Sequence, residues 1–428
     1  MNLIIPLKAQ LSRVIKSTFV RAVTALSTGQ LISAVIPILA APILGRLYLP
    51  ADYGVLATFM AASTILSAVS TFQLQQGVIA EHGERRAVAL VVVCRRVGYI
   101  VSAAALVLAL GIVLWMGEST HYAASKWWML GLPLTTASGA VVAATAALAN
   151  RYRRYGTMAQ AQVLSAVVTV ATSVSLGVAG WGASGLFVSY FLSQLVTLFY
   201  YLWLYRQMVP TPPRPGVKRT LVLIRSHRRF AIFTLPAVLI SNVSQQLPVF
   251  SLAALGLAPL VGAFARARQL ASMPIQLLGS SVGQVFRQRA SEMYRATGSC
   301  RPEFVRTFFV LLGMGLAPTI ALMLYGRVLF EFVLGPQWGD AGKIAGILAP
   351  MLLLRLVSAP LSQVFYFTGR QVHDLVIVVS NTALLALILA VVLVLKLPAI
   401  SIVYVFSVSY SIMYVVYLAM GWRASLAR

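Results

Sequence analysis

The sequence predicts an all-α polytopic membrane protein with about twelve transmembrane helices. Three observations carry that prediction. First, the 428 residues are 59% hydrophobic, with a mean hydropathy of +0.86. Only 10% of them are charged, where a soluble domain has about 25%. A soluble fold of this composition would leave its apolar surface in water, so soluble enzymes are excluded. Second, the apolar runs are unbroken and about 20 residues long, the length at which a helix crosses the hydrocarbon core. Barrel strands would instead alternate over about 10 residues. Third, 34 Lys and Arg stand against 9 Asp and Glu, a net charge of +25. In a membrane protein such an excess collects in cytoplasmic loops, so no nucleic-acid partner is expected.

The spans are Phe19–Leu44, Tyr53–Gln75, Val97–Met116, Trp128–Ala149, Met158–Val178 and Ser184–Leu204, then Phe230–Leu252, Ala258–Val282, Phe304–Tyr325, Ile344–Phe367, Val376–Leu395 and Ile400–Gly421. The first leaves a basic stretch with Lys8, Arg13 and Lys16, and the second returns to Arg85 and Arg86. The third and fourth run out from Arg95 and Arg96, turn at Trp127 and Trp128, and return to Arg151, Arg153 and Arg154. The fifth and sixth turn at Trp181 and end at Arg206. The seventh and eighth lead from Arg228 and Arg229 to Arg287 and Arg289. The ninth and tenth run from Arg301 and Arg306, past Trp338, to Arg370. The last pair ends at Trp422 and Arg423. With the N-terminus in the cytoplasm, cytoplasmic segments hold 26 basic residues and the opposite side 5. That asymmetry places both termini in the cytoplasm. The tryptophans fall at span ends, as an interfacial belt requires.

The connection Arg206–Arg229 carries Pro210, Pro212, Pro213 and Pro215 among basic residues, and is expected to be an extended, semi-rigid linker. It divides the chain into an N-terminal six-helix lobe (1–206), a basic proline-rich cytoplasmic linker (207–229) and a C-terminal six-helix lobe (230–428). A faint repeat crosses it: Tyr53-Gly54-Val55-Leu56-Ala57 and Val261-Gly262-Ala263-Phe264-Ala265 each follow a proline, Pro50 and Pro259. Transporters place substrate between such halves. No cleavable signal is expected from residues 1–18, which lack a short apolar run and cleavage site. Cys94 and Cys300 build neither a disulfide framework nor a metal cluster.

Three cations lie deep inside apolar spans, Arg266, Arg268 and Arg355, and no Asp or Glu lies deep in any. A charge at bilayer depth is costly and usually faces a bundle interior or a wet cavity. Without a carboxylate to pair with, these arginines point to an anion. Residues two apart on a helix face opposite ways. The stripe Gly262, Arg266, Gln269, Met273, Gln276, Ser280, Gly283, Arg287 is polar and small and is expected to line a cavity. Arg268 falls on the apolar face and is expected to satisfy carbonyls or hydroxyls of a packed helix. Gln30, Asn242, Gln245 and Gln246 are either interhelical glue or hydrogen-bonding groups for sugar hydroxyls. No metal-ligand spacing, Walker loop, Ser/His/Asp grouping or paired carboxylate occurs, so no catalytic residue, cofactor or metal is expected.

The run ISAVIPILAAPILGRLYLPADYG at Ile32–Gly54 and ANRYRRYGT at Ala149–Thr157 resemble segments of the bacterial polysaccharide flippases, the Wzx-type transporters of the MATE-like multidrug/oligosaccharidyl-lipid/polysaccharide exporter superfamily. So do QQLPVFSLAAL and GAFARARQLASMPIQLLGSSVGQVFRQRASE within Gln245–Glu292, and VLGPQWGDAGKIAGILAPMLLLRLVSAPLSQVFYFTGR within Leu329–Arg370. The resemblance spans nearly the whole chain. It implies two six-helix lobes around a central cationic cavity in the bacterial inner membrane. It implies that an undecaprenyl-diphosphate-linked oligosaccharide moves from the cytoplasmic to the periplasmic leaflet, for O-antigen, lipopolysaccharide or exopolysaccharide synthesis. The polymerase and other assembly proteins would be partners. Where the family has an Arg-Tyr-Glu-like run, this chain has Phe72-Gln73-Leu74-Gln75-Gln76, and the family's Gln-Arg order is here Arg268-Gln269. Arg266, Arg355 and Arg268 would bind the diphosphate, and Gln30, Asn242, Gln245, Gln246, Gln269 and Gln276 would line the cavity for sugars. A multidrug exporter of the related fold is the alternative, though cationic drugs would meet arginines and no deep carboxylate. A membrane-embedded polysaccharide polymerase, ligase or glycosyltransferase would need a larger polar segment than these loops provide.

Overall fold

The computed structural model describes residues 18–115, 123–213, 215–368 and 371–426. Among them the regular structure is helical: α1 (Thr18–Leu47), α2 (Pro50–Val69), α3 (Gln75–Ala80), α4 (Glu84–Trp115), α5 (Leu132–Arg151), α6 (Tyr155–Val178), α7 (Gly182–Met208), α8 (Val217–Ser226), α9 (Leu235–Ala254), α10 (Ala258–Thr297), α11 (Arg301–Leu334), α12 (Gly339–Leu361), α13 (Val364–Phe367), α14 (Gln371–Val394) and α15 (Ile400–Ser425). Eleven of the described helices are long and apolar enough to cross a membrane, and the protein is a multi-pass membrane protein. The expected eighth span lies in α10, which is more polar than those eleven because it carries Arg266, Arg268, Gln269, Gln284 and Arg287. The linker differs from its expectation. Once the prolines end at Pro215, the segment Val217–Ser226 forms α8, whose Leu223 packs among Val78, Leu90 and Leu148.

The described residues pack as two compact units. The first holds those within 1–40, 62–118 and 124–236, the second those within 41–61, 119–123 and 237–428. In the first unit α5 packs against α4, and a Cβ on Gly98 would stand 2.2 Å from that of Ala140. The hydroxyls of Ser165 and Ser193 join α6 to α7 at 2.8 Å. Small residues and hydroxyls are what hold helices together in lipid, where apolar contact gives no advantage over lipid tails. Arg151 donates to the carbonyls of Val78, Ile79 and Glu81, closing the end of α3.

In the second unit α12 packs on α10, α11 and α15, and 61% of its span is buried. Gly342 and Gly346, four apart, lie against α11: a Cβ on Gly342 would stand 2.3 Å from the carbonyl oxygen of Gly326. Residues 41–61 dock onto this unit. Trp338 Nε1 and Gln337 Nε2 donate to the Gly45 carbonyl at 2.8 and 2.6 Å. Arg46 donates to the carbonyls of Phe332 and Val333 at the end of α11, where a cation also suits the helix dipole. Trp338 is fully buried against Tyr53 rather than interfacial. The Leu49 amide donates to the Asp52 carboxylate and Pro50 opens α2, as at a capped helix start.

The two repeat segments meet here. A Cβ on Gly54 would stand 1.8 Å from the Ala258 carbonyl oxygen, and one on Gly262 would stand 1.8 Å from that of Pro50. The contact is reciprocal, position for position. Each helix start uses its glycine to admit the other's first carbonyl.

Two predictions follow from this packing. Gly262→Ala is expected to cost about 3 kcal/mol or more and to lower the thermal unfolding midpoint in detergent sharply. Gly111→Ala, with no neighbouring atom within 4 Å, is expected to leave it unchanged. At the α10–α11 corner the Cys300 amide donates to the Ser425 carbonyl, and burial pushes the Cys300 thiol up to about 11. An acid pushed up stays protonated, and the thiolate is the reactive form. Maleimide labelling of Cys300 in the folded protein is therefore expected to be slow at neutral pH and to rise about tenfold per pH unit up to pH 11. A rate that levels off near pH 8.5 would contradict it.

Candidate functional site

The second unit holds two partly open chambers that share Arg355 of α12 in their linings. The larger, about 310 Å³, is walled by Ile275, Gly279, Gly283, Gln284 and Arg287 of α10 and by Leu356, Ala359 and Pro360 of α12, with Gln363. The smaller, about 130 Å³, is walled by Ser241, Ser244 and Gln245 of α9, Val378 and Asn381 of α14, and Tyr410, Met413 and Tyr414 of α15. The neighbouring Leu352 and Leu356 are buried, which fixes the face of α12 that carries Arg355.

Arg355 is half-buried. Among the described residues it makes no hydrogen bond or ion pair. The carboxylates are engaged elsewhere: Glu303 with Arg289 at 3.9 Å, Glu331 with Arg327 at 2.7 Å, Asp340 with Lys343 at 2.9 Å, and Asp374 with the Tyr417 hydroxyl. Among the described residues no carboxylate lines either chamber. The larger chamber therefore presents two guanidinium groups, Arg355 and Arg287, without counter-charge. A guanidinium is always protonated and offers a planar fork of donors that matches phosphate oxygens. Among the described residues no group of His, Cys, Asp and Glu could hold a metal ion.

The other expected site residues lie as follows. Arg268 donates through Nη1 to the Gln245 carbonyl and through Nη2 to Gln246 Oε1 at 3.4 Å, and it feels the charge of Arg355. Arg266 is 5% exposed, lies with its guanidinium carbon 3.7 Å from the ring centroid of Tyr53, and donates to Gln269 Oε1 at 3.2 Å. Its Nε has no hydrogen-bond partner among the described residues. Further along the same stripe, Gly283 and Arg287 do face the larger chamber. Gln269 is exposed, and Asn242 is half-buried on α9 outside both linings. Gln30 is exposed in the first unit. The side chain of Gln276 lies outside the described residues.

The structure adds Asn381, Tyr410, Tyr414, Ser241 and Ser244. Tyr410 donates to Ser244 Oγ at 2.9 Å, and Asn381 Oδ1 accepts from Ser409 at 2.8 Å. Phe406, Tyr410 and Tyr414 form an aromatic ladder, with centroids 4.7 and 5.9 Å apart. A signal existed in sequence: an asparagine within the apolar run of α14, and aromatic residues at four-residue spacing on α15.

Comparison with known proteins places this arrangement. Residues 43–343 match the family model described as polysaccharide biosynthesis protein. No match is found among curated proteins. The solved structure of the lipid II flippase MurJ in an inward closed conformation is similar over 92% of this chain and 86% of its own, with a TM-score of 0.74 and 12% identity. An inward-facing multidrug resistance MATE family transporter of the MOP superfamily is similar over 94% of this chain and 98% of its own, with a TM-score of 0.60 and 16% identity. A MOP superfamily transporter from Pyrococcus furiosus, described as having a binding pocket of reverse polarity, is similar over 94% of both chains, with a TM-score of 0.55 and 14% identity. At these identities the likeness is one of fold.

The environment of Arg266 generates its own prediction. A buried charge without a counter-ion is destabilising, and apolar replacements of similar volume are often neutral or stabilising. Arg266→Met is expected to hold or raise the thermal unfolding midpoint in detergent, whereas Arg266→Ala, which empties the space over Tyr53, is expected to lower it. A large loss of stability in the Met variant would show that the charge itself is needed for folding.

Proposed function

The chain belongs to the polysaccharide biosynthesis protein family, and we propose that it translocates an undecaprenyl-diphosphate-linked oligosaccharide from the cytoplasmic to the periplasmic leaflet of the bacterial inner membrane. The observation that carries this reading is Arg355: a half-buried guanidinium with an unspent donor fork, shared by two chambers that contain no carboxylate among the described residues. A diphosphate supplies the missing counter-charge. Arg355 takes it directly, Arg287 draws it in, and Arg268 adds to the potential while bracing Gln245. Amides and hydroxyls around them serve the sugars, which are neutral and need hydrogen bonds rather than charge. The resemblance of fold to a flippase of a lipid-linked precursor supports the same substrate class.

Transport proceeds by alternating access between the six helices before residue 206 and the six after residue 230, with both termini cytoplasmic. The segment 206–229 holds seven basic residues and no acid. It sits where it attracts the anionic headgroup before entry. Export of cationic drugs fits less well, because the same arginines repel them.

The test is flipping by purified protein in proteoliposomes. Hydrogen bonds to a charged group contribute about 1.5–3 kcal/mol, roughly tenfold to a hundredfold, so Arg355→Ala is expected to slow flipping by that factor. Arg355→Lys keeps a charge without the fork and is expected to fall between. Wild-type flipping by a folded Arg355→Ala variant would remove the reading.

A further inference from the structure

The smaller chamber has a chemistry of its own. Of its lining, Ser241, Ser244, Gln245, Asn381, Tyr410 and Tyr414 are polar and uncharged, and Arg355 is the one charged group. Three of the polar residues are at least nine-tenths buried: Ser244, Asn381 and Tyr410. Buried polar groups are costly unless they are hydrogen-bonded, yet several here are incompletely used. Ser409 occupies the carbonyl oxygen of Asn381 and leaves its amide NH2. The Tyr414 hydroxyl has no hydrogen bond among the described residues. The Gln245 amide reaches Ser241 Oγ only at 3.5 Å, while its backbone carbonyl is fixed by Arg268. Donors and acceptors thus converge on a space that water or a hydroxylated ligand must fill.

The geometry points to a subsite for one neutral sugar, the residue joined directly to the diphosphate. This inference rests on the flippase reading above and deepens it. Four features specify the ligand. At about 130 Å³ the chamber is below the roughly 300–1,000 Å³ of drug-sized pockets, so it takes a single ring and not the oligosaccharide. Amide and hydroxyl groups pair with sugar hydroxyls, which both donate and accept. The rings of Tyr410 and Tyr414 offer an apolar wall for the C–H face of a pyranose. Arg355, in the wall shared with the larger chamber, sets the phosphate and the first sugar on either side of one guanidinium. No carboxylate lines the chamber among the described residues, so it selects neither cations nor amino sugars with a free amine.

The test measures binding to the purified full-length protein in nanodiscs, with two probes: undecaprenyl diphosphate, and undecaprenyl diphosphate bearing a single hexose. Wild type is expected to bind the hexose-bearing probe at least tenfold more tightly. Loss of one neutral hydrogen bond corresponds to roughly threefold to tenfold. Asn381→Ala and the conservative Tyr414→Phe are each expected to erode the preference by that factor while the sugar-free probe binds as before. Arg355→Ala is expected to weaken both probes alike. Equal binding of the two probes to wild type, or a preference that survives in the folded Asn381→Ala/Tyr414→Phe double variant, overturns the subsite while leaving the flippase reading intact. Failure of wild type to bind either probe overturns both.

Discussion

Lipid offers helices no hydrophobic reason to associate, so a membrane fold depends on how closely backbones can approach. Among the described glycines the closest approach is the pair of contacts between Gly54 and Ala258 and between Gly262 and Pro50. No side chain larger than hydrogen fits at either glycine. The carbonyls face the glycine Cα–H groups, a contact worth about 0.5–1 kcal/mol each. The surrounding structure follows from that proximity. Tyr53, one residue before Gly54, is held against Trp338 on one side and Arg266 on the other. Trp338 in turn reaches the Gly45 carbonyl. A cation, two aromatic rings and a turn are thereby locked by two missing methyl groups.

The arginines divide according to what else surrounds them. Arg266 is spent on a ring and an amide, Arg268 on a carbonyl and an amide, and Arg355 on nothing among the described residues. Electrostatic work requires the last kind. A guanidinium already satisfied must lose its partners before it gains a ligand, whereas an open fork gains them outright. Arg268 lies within electrostatic reach of Arg355, and its bond to the Gln245 carbonyl ties α10 to α9.

Much of the fold was legible in sequence because membrane helices write themselves as long apolar runs and basic loops. Even the faint repeat around Gly54 and Gly262 was visible, since a proline followed by a glycine marks both helix starts. What was not legible was which reason each small or polar residue had. A glycine on a helix face signals either a cavity wall or a close backbone contact. The stripe from Gly262 to Arg287 contains both: Gly262 abuts Pro50, while Gly283 and Arg287 open to the larger chamber. Trp338 read as an interfacial anchor because span-end tryptophans usually are, but its indole N–H found a buried carbonyl. Asn381, Tyr410 and Tyr414 were hidden for a different reason. Asn381 sits on a different helix from the two tyrosines, and only the packing of α15 on α12 and of α14 on α15 brings them to Arg355.

The placement of charge also explains why the polar interior can exist without acids. A carboxylate beside Arg355 would have formed a buried ion pair, stable in itself and useless to an anion, because ligand binding would then require breaking it. Leaving the guanidinium open makes the empty site costly and the filled site favourable. That difference is what a carrier needs if an anionic ligand is to bias it between states. The cost is tolerable because the chambers are wet-walled: hydroxyls, amides and a second arginine can hold water around Arg355 until a ligand replaces it. The same logic keeps the acids at the helix ends. There Glu331 and Asp340 pair with Arg327 and Lys343 and line neither chamber.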